Sequence, residues 1–242
     1  MKKMIGLAIL LFASLAQADM ALDLLKESDK ARGNLEGGIT WDSEVETHEN
    51  GNASTREFRI RAKGVNAVVD ALAPARNKGE VYVFNDRNMW FFKPSLKKPV
   101  AISARQKLSG QAANGDIAST HYSRDYNPTL EKTETLNGEK VHVLMLKAKA
   151  NNLTYDQIRY WISDKSKKAV KAEFLTLQGE PFKRATLEYD NTVQVNGKPL
   201  QFVSKIEITD AKMEQNKSII RYKKPKLESQ PDAIFNINNL RR

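Results

Sequence analysis

The feature that most constrains the fold is a period of two in hydrophobicity, which recurs through most of the chain after residue 38. Residues 55–63 show it clearly, with apolar side chains alternating with basic ones: Phe58, Ile60 and Ala62 against Arg59, Arg61 and Lys63. Successive side chains of a strand point to opposite faces of a sheet, so this pattern is typical of strands with one buried face. Short polar turns separate the runs, and Gly138, Gly179 and Gly197 each fit a hairpin turn. The chain is therefore predicted to be mainly β, with a meandering antiparallel sheet.

The predicted strands fall into two groups on either side of a longer insertion. They cover residues 39–48, 55–63, 65–72, 80–85 and 89–93, and then residues 129–136, 140–148, 155–163, 169–177, 182–189, 200–208 and 218–222. Residues 20–33 have apolar side chains at helical spacing and end at Gly33, which predicts an N-terminal helix. Between the two groups, Ser103 can cap a helix over residues 104–113, with a second helical turn over 116–122. The tail, residues 231–240, is apolar enough to pack on the body.

One face of this sheet is apolar across many strands, and the two predicted helical segments are short. If the sheet curls into an incomplete barrel, part of its concave face remains as an apolar cavity under a helical lid. The alternative is that the sheet closes and fills with its own side chains. Leu108, Ala112 and Ile117 would line the lid. Of the aromatic strand, either Met89 with Phe91 or Trp90 with Phe92 would face the cavity, because side chains alternate.

Residues 1–18 are typical of a secretory signal peptide. Lys2 and Lys3 precede an apolar run from residue 4 to residue 15, and small residues occupy the positions before a cleavage site at residue 18. The mature chain, residues 19–242, is expected to be a single domain and a monomer in the periplasm. It stays basic without the leader, and export argues against nucleic acid as a partner.

The sequence offers no convincing catalytic or metal site, and no cofactor is expected. Cysteine is absent, so thiol catalysis and disulfides are excluded. His48, His121 and His142 are far apart in the sequence and lack metal-ligand spacing. Glu44 and Glu46 have the spacing of paired carboxylates, but also of a solvated strand face. The chain is predicted not to be an enzyme.

Several segments resemble the LolA-like periplasmic outer-membrane lipoprotein-sorting proteins. They are residues 88–94 (NMWFFKP), 73–79 (APARNKG), 105–119 (RQKLSGQAANGDIAS), 155–161 (YDQIRYW) and 170–174 (VKAEF). The resemblance covers most of the mature chain. The gating arginine of these carriers has no match, because the nearby strand reads Ile60-Arg61-Ala62-Lys63-Gly64.

The resemblance implies an incomplete β-barrel whose apolar cavity binds the acyl chains of a lipoprotein or lipid and moves them between inner and outer membrane. Tyr160 and Phe174, on later strands, join the expected cavity wall. Transient membrane contact and an inner-membrane transporter are the other expected partners. The alternative is a non-enzymatic accessory subunit of an inner-membrane lipid exporter of the resistance-nodulation-division type, docking through its basic strand and the Lys97-Lys98 turn.

Overall fold

The computed structural model describes residues 17–118 and 121–240; most of the expected signal peptide lies outside these ranges. Helix α1 spans residues 17–30, and the single-turn helix α2 spans Tyr122–Asp125. The strands are β1 (Ile39–Glu49), β2 (Asn52–Lys63), β3 (Asn66–Ala73), β4 (Val81–Asn85), β5 (Asn88–Phe92), β6 (Val100–Ile102), β7 (Lys107–Ser109), β8 (Ala112–Ala113), β9 (Tyr126–Leu136), β10 (Glu139–Ala148), β11 (Gln157–Ser163), β12 (Ala169–Leu175), β13 (Pro181–Glu188), β14 (Asn191–Val195), β15 (Lys198–Phe202), β16 (Lys205–Asp210) and β17 (Lys217–Leu227).

Thirteen strands form one antiparallel sheet in the order β6-β5-β4-β3-β2-β1-β17-β16-β13-β12-β11-β10-β9. Strands β6 and β9 lie at the two ends of this order and do not pair with each other, so the barrel is open. The remaining strands form two small hairpins, β7 with β8 and β14 with β15. The predicted incomplete antiparallel barrel is confirmed.

The main core lies on the concave face of the sheet, as the period of two predicts. In β1 the buried residues alternate with half-buried ones, and Ile39, Trp41 and Val45 are fully buried. Helix α1 packs on this face through Ala21, Leu24 and Leu25, which confirms the predicted N-terminal helix. Each large apolar side chain buried in this way stabilises the fold by about 1.5–3 kcal/mol.

The predicted helix over residues 104–113 is wrong, because this segment forms the β7–β8 hairpin. Gly110 turns the chain with a φ of +54°, in the left-handed region where a helix cannot continue. The Ser103 hydroxyl accepts a hydrogen bond from Arg105 N–H at 3.2 Å, which closes a turn and caps no helix. The helical turns that follow are a 3-10 turn at Asn114–Ile117 and α2, shifted from the predicted residues 116–122.

Two further differences come from irregular strand pairing. The predicted strand over residues 200–208 is two strands, β15 and β16, because Val203 N–H leaves the sheet and donates to the Ala31 carbonyl at the end of α1. Strands β6 and β14 were not predicted. The C-terminal tail forms two 3-10 turns on the convex face, where Phe235 packs against Val68 and Val83.

Candidate functional site

The insertion lies across the concave face and covers its apolar side chains. We call residues 103–118 and 121–125 the insert. Leu108 is 8% exposed, and Ala112 and Ile117 are almost fully buried in the main core. The insert is a succession of short elements, none longer than four residues. Its cover therefore depends on contacts with the sheet and α1 and not on a regular structure of its own.

Seven of the nine residues predicted for the cavity wall or lid converge in this core, and two do not. The seven are Met89, Phe91, Leu108, Ala112, Ile117, Tyr160 and Phe174. Trp90 packs on the convex face with the cluster around Phe235, and Phe92 lines a cavity on that same face. Of the two alternatives for the aromatic strand, Met89 and Phe91 are therefore the pair that faces the concave side. Trp90 and Phe92 face the convex side.

Hydroxyl groups of β1 and β17 hold the hairpin end of the insert. The Ser218 hydroxyl donates to the Ser109 carbonyl at 2.9 Å and accepts from Gln111 N–H at 2.9 Å. The Thr47 and Ser109 hydroxyls are 2.8 Å apart. From β2, Arg56 donates to the Leu108 carbonyl at 3.1 Å. Each such hydrogen bond contributes about 1 kcal/mol net to stability, so this end of the insert can detach at a modest cost in free energy.

Two buried residues hold the other end of the insert: Asp29 in the last turn of α1 and Arg32 just after the helix. Asp29 Oδ2 accepts from the backbone N–H and the hydroxyl of Ser123, at 2.8 and 2.7 Å. Burial raises the pKa of Asp29 to about 7, against the opposing effect of those hydrogen bonds. The Arg32 guanidinium stacks 4.4 Å from the centre of the Tyr122 ring and reaches the Tyr160 hydroxyl at 3.4 Å.

A third polar attachment lies at the centre of the insert. Asp116 Oδ2 accepts from Ala113 N–H and from the Tyr155 hydroxyl, both at 2.8 Å. Lys183 Nζ donates to the Gln111 carbonyl at 2.6 Å. Burial raises the pKa of Asp116 and lowers the pKa of Lys183, in each case because the charged form is desolvated.

Comparisons with known proteins agree on the fold. A LolA superfamily protein from Nitrosomonas europaea is 27% identical, with a TM-score of 0.81 over 90% of this chain and 98% of that one. A family model described as "Uncharacterized protein" matches residues 63–242, most of the chain. The chain belongs to this LolA-like family. No curated protein matches the LolA-like chain.

Two further structures share the fold of this LolA-like chain at lower identity. A DUF1329 family protein from Desulfovibrio piger is 17% identical, with a TM-score of 0.77 over 93% of this chain and 99% of that one. An outer membrane lipoprotein-sorting protein domain from Vibrio parahaemolyticus is 22% identical, with a TM-score of 0.77 over 93% of this chain and 100% of that one. Together they show that the open sheet of this chain is shared with both structures as a fold.

The space beneath the insert of the LolA-like chain is filled by its own side chains. One void of about 20 Å³ lies among Arg32, Asp116, Tyr160 and neighbours, and another of about 30 Å³ lies beside His121. A void of that size holds one or two water molecules and no acyl chain. Among the described residues, neither void can serve as the expected preformed hollow, so a guest on the concave face would have to displace the insert.

Sequence reasoning missed the arginines that contact the insert of this LolA-like chain. Arg61 lies on the convex face, 2.6 Å from Asp70, and takes no part in the site. The contact of Arg56 could have been predicted. Arg56, Phe58 and Ile60 are two residues apart in β2, so Arg56 is a cation on the apolar face of that strand. Arg32 precedes Gly33, the predicted end of α1, and no pattern in the sequence around it indicates a contact with the insert.

The remaining polar groups do not assemble a reactive centre in the ranges that the structure describes. His142 Nε2 is 2.7 Å from Asp164 Oδ1, and His48 Nε2 is 2.7 Å from Glu46 Oε1. Across residues 17–118 and 121–240, no group of three or more His, Cys, Asp or Glu could hold a metal ion. Over the same residues, no helix is long and apolar enough to span a membrane.

Proposed function

We propose that this LolA-like protein is a periplasmic carrier that binds the acyl chains of a lipoprotein or lipid on the concave face of the open sheet. It moves them between the inner and outer membrane without covalent chemistry. The observation that carries this proposal is the insert, an irregular cover attached by polar contacts over a face of apolar side chains. Displacing it exposes an apolar surface of the kind that hydrocarbon occupies.

Energetic considerations support exchange of the insert for a guest. Burying a methylene group stabilises a complex by about 0.8 kcal/mol, so one acyl chain offers on the order of 10 kcal/mol. The insert would give up its buried Leu108 and Ile117 and hydrogen bonds worth about 1 kcal/mol each. These two sums are comparable, which favours reversible loading. Release at a partner would follow from reclosing of the insert.

The Nitrosomonas relative supports the carrier reading through its LolA superfamily membership, and the Vibrio domain supports it through the shared fold alone. The filled interior favours a second candidate, the accessory subunit of an inner-membrane lipid exporter. Such a subunit would form a salt-sensitive complex with a transporter and carry no lipid. Lipid content of the purified protein separates the two candidates.

The test is mass spectrometry of lipids extracted from the protein purified from a bacterial periplasm. We expect stoichiometric acyl lipid on the unmodified protein and a clear loss in Leu108→Glu, which places a charge under the insert. Leu177→Glu is the matched control, because Leu177 is 71% exposed and lies outside the insert. Protein that carries no lipid and also fails to take up added lipid would contradict the carrier role.

A further inference from the structure

Two turns meet at one end of the sheet. One joins β3 to β4 and the other joins β5 to β6. Val81, the first residue of β4, pairs with Phe92, the last residue of β5, so both turns leave the sheet at the same end. A Cβ atom on Gly79 of the first turn would lie 3.0 Å from Pro94 Cγ of the second. The side chains of both turns therefore belong to one surface.

That surface concentrates exposed cations, and we call it the basic corner. Its basic residues are Arg76, Lys78, Lys93, Lys97 and Lys98, all exposed. None of them forms an ion pair within the described residues. Of the nearby acids, Glu80 already binds Arg56 at 2.8 Å, which leaves exposed Glu57, opposite Ala73 in the β2–β3 register. The basic corner thus carries a strong positive charge.

Several cations elsewhere on the convex face are paired with acids. Arg159 pairs with Glu131 at 2.8 Å and Glu173 at 3.2 Å, and Lys223 pairs with Glu44 at 2.7 Å. Such surface pairs are the usual outcome when charges of both signs share a sheet face. The basic corner differs in bringing five unpaired cations together on two adjoining turns, which favours a partner that supplies the negative charge.

A cavity of about 670 Å³ opens beside the basic corner, between the convex face and the C-terminal tail. Gly79 and Pro94 line it, so it adjoins both turns, and its walls include the apolar side chains of Val81, Phe92 and Leu240. The strands that line the cavity, β2 to β5, are each paired on both sides, so the cavity itself offers no sheet edge to a peptide. The charged lining groups, Arg61 and Asp70, pair with each other at 2.6 Å. These features suit a hydrocarbon chain better than a polypeptide.

We propose that the basic corner docks the protein on an anionic membrane surface, with lipid headgroups against the five cations and the cavity beside them open to a lipid chain. Clustered lysines and arginines attract anionic lipid over about a Debye length, and each residue adds its own contribution to the free energy of membrane binding. This docking uses the convex face and does not depend on a cargo under the insert. It would bring the carrier, or an accessory subunit, to the membrane in a fixed orientation.

The test is binding of the mature protein to phosphatidylcholine vesicles with and without phosphatidylglycerol, measured by co-sedimentation. The triple variant Lys93→Ala, Lys97→Ala, Lys98→Ala should bind phosphatidylglycerol vesicles roughly a hundredfold more weakly, at about fivefold for each charge. The matched control is Lys165→Ala, Lys198→Ala, Lys212→Ala, three exposed lysines away from the basic corner with the same change in net charge. The control should stay within a few-fold of the unmodified protein.

Three results would overturn the proposal. Equal loss in both triple variants would assign binding to net charge and not to the basic corner. Binding that ignores phosphatidylglycerol would exclude an anionic surface. Soluble polyglutamate that competes as well as phosphatidylglycerol vesicles would indicate an acidic protein partner. Circular dichroism of each variant checks folding, and the substituted lysines are exposed, so none should unfold the chain.

Discussion

Asp29 of α1 accepts two hydrogen bonds from Ser123, one from the backbone and one from the hydroxyl, and so ties the N-terminal helix to α2 of the insert. The Asp29 carboxyl group is fully buried. Burial raises its pKa from 3.8 to about 7. This contact therefore connects the closed insert to a group that titrates near neutral pH.

The first prediction concerns pH. Because the pKa of Asp29 is raised in the folded state, its favourable contribution is fully present below about pH 4 and is lost as the pH rises through 7. Asp29→Asn cannot titrate, so the difference in unfolding free energy between this variant and the unmodified protein should change by a few kcal/mol between pH 4 and pH 8. Urea denaturation across that range measures it.

The control for this prediction is Asp23→Asn, on the same helix, where the side chain of Asp23 is 72% exposed. Its unfolding free energy should follow that of the unmodified protein at every pH. A parallel pH profile for Asp29→Asn and the unmodified protein would show that Asp29 keeps its ordinary pKa and would refute the prediction.

The second prediction concerns Arg56, which bonds the Leu108 carbonyl of the insert and Glu80 Oε2. Arg56→Ala should destabilise the fold by about 2 kcal/mol, because it leaves a half-buried carboxylate without its partner. Amide exchange in residues 107–113 should also become faster. The control is Arg59→Ala on the same strand, β2, which removes the ion pair with Asp42. Because the side chain of Arg59 is 51% exposed, the free energy of unfolding should fall by less than about 1 kcal/mol. Unchanged exchange in residues 107–113 would show that Arg56 does not hold the insert.

The third prediction concerns Gly115, in the 3-10 turn of the insert. A Cβ atom there would overlap the Thr154 hydroxyl and lie 3.0 Å from Thr154 Cβ. Gly115→Ala should therefore lower the unfolding free energy by about 1–3 kcal/mol, and Thr154→Ala added to it should restore part of the loss. Gly37→Ala meets nothing within 4 Å and should be close to neutral. Thermal denaturation compares the four proteins, and full stability in Gly115→Ala alone would rule out the close packing.

The sheet could be predicted from the sequence because strand alternation is local. Every strand of the first group, from β1 to β5, lies within a few residues of its predicted bounds. The hairpin of the insert could not be predicted in this way. Its residues favour a helix locally, and tertiary contacts of Ser109 and Gln111 with Ser218 decide the outcome.

The filling of the interior by side chains also could not be predicted from the sequence. Alternation identifies a residue such as Tyr160 as inward-facing but does not say whether it lines space or occupies it. That depends on the distance between opposite walls and on how deeply α1 and the insert penetrate. Arg32 and Tyr122, which stack on each other, come from segments 90 residues apart and show how such filling is assembled.

The most direct measurement of the carrier claim is lipid uptake by a protein whose insert can be locked. Thr47→Cys with Ser109→Cys replaces two hydroxyls that lie 2.8 Å apart, in a chain without cysteines of its own, and should form a disulfide between β1 and the insert. We expect the oxidised variant to take up no lipid and the reduced one to bind like the unmodified protein. Equal uptake in both redox states would contradict loading beneath the insert.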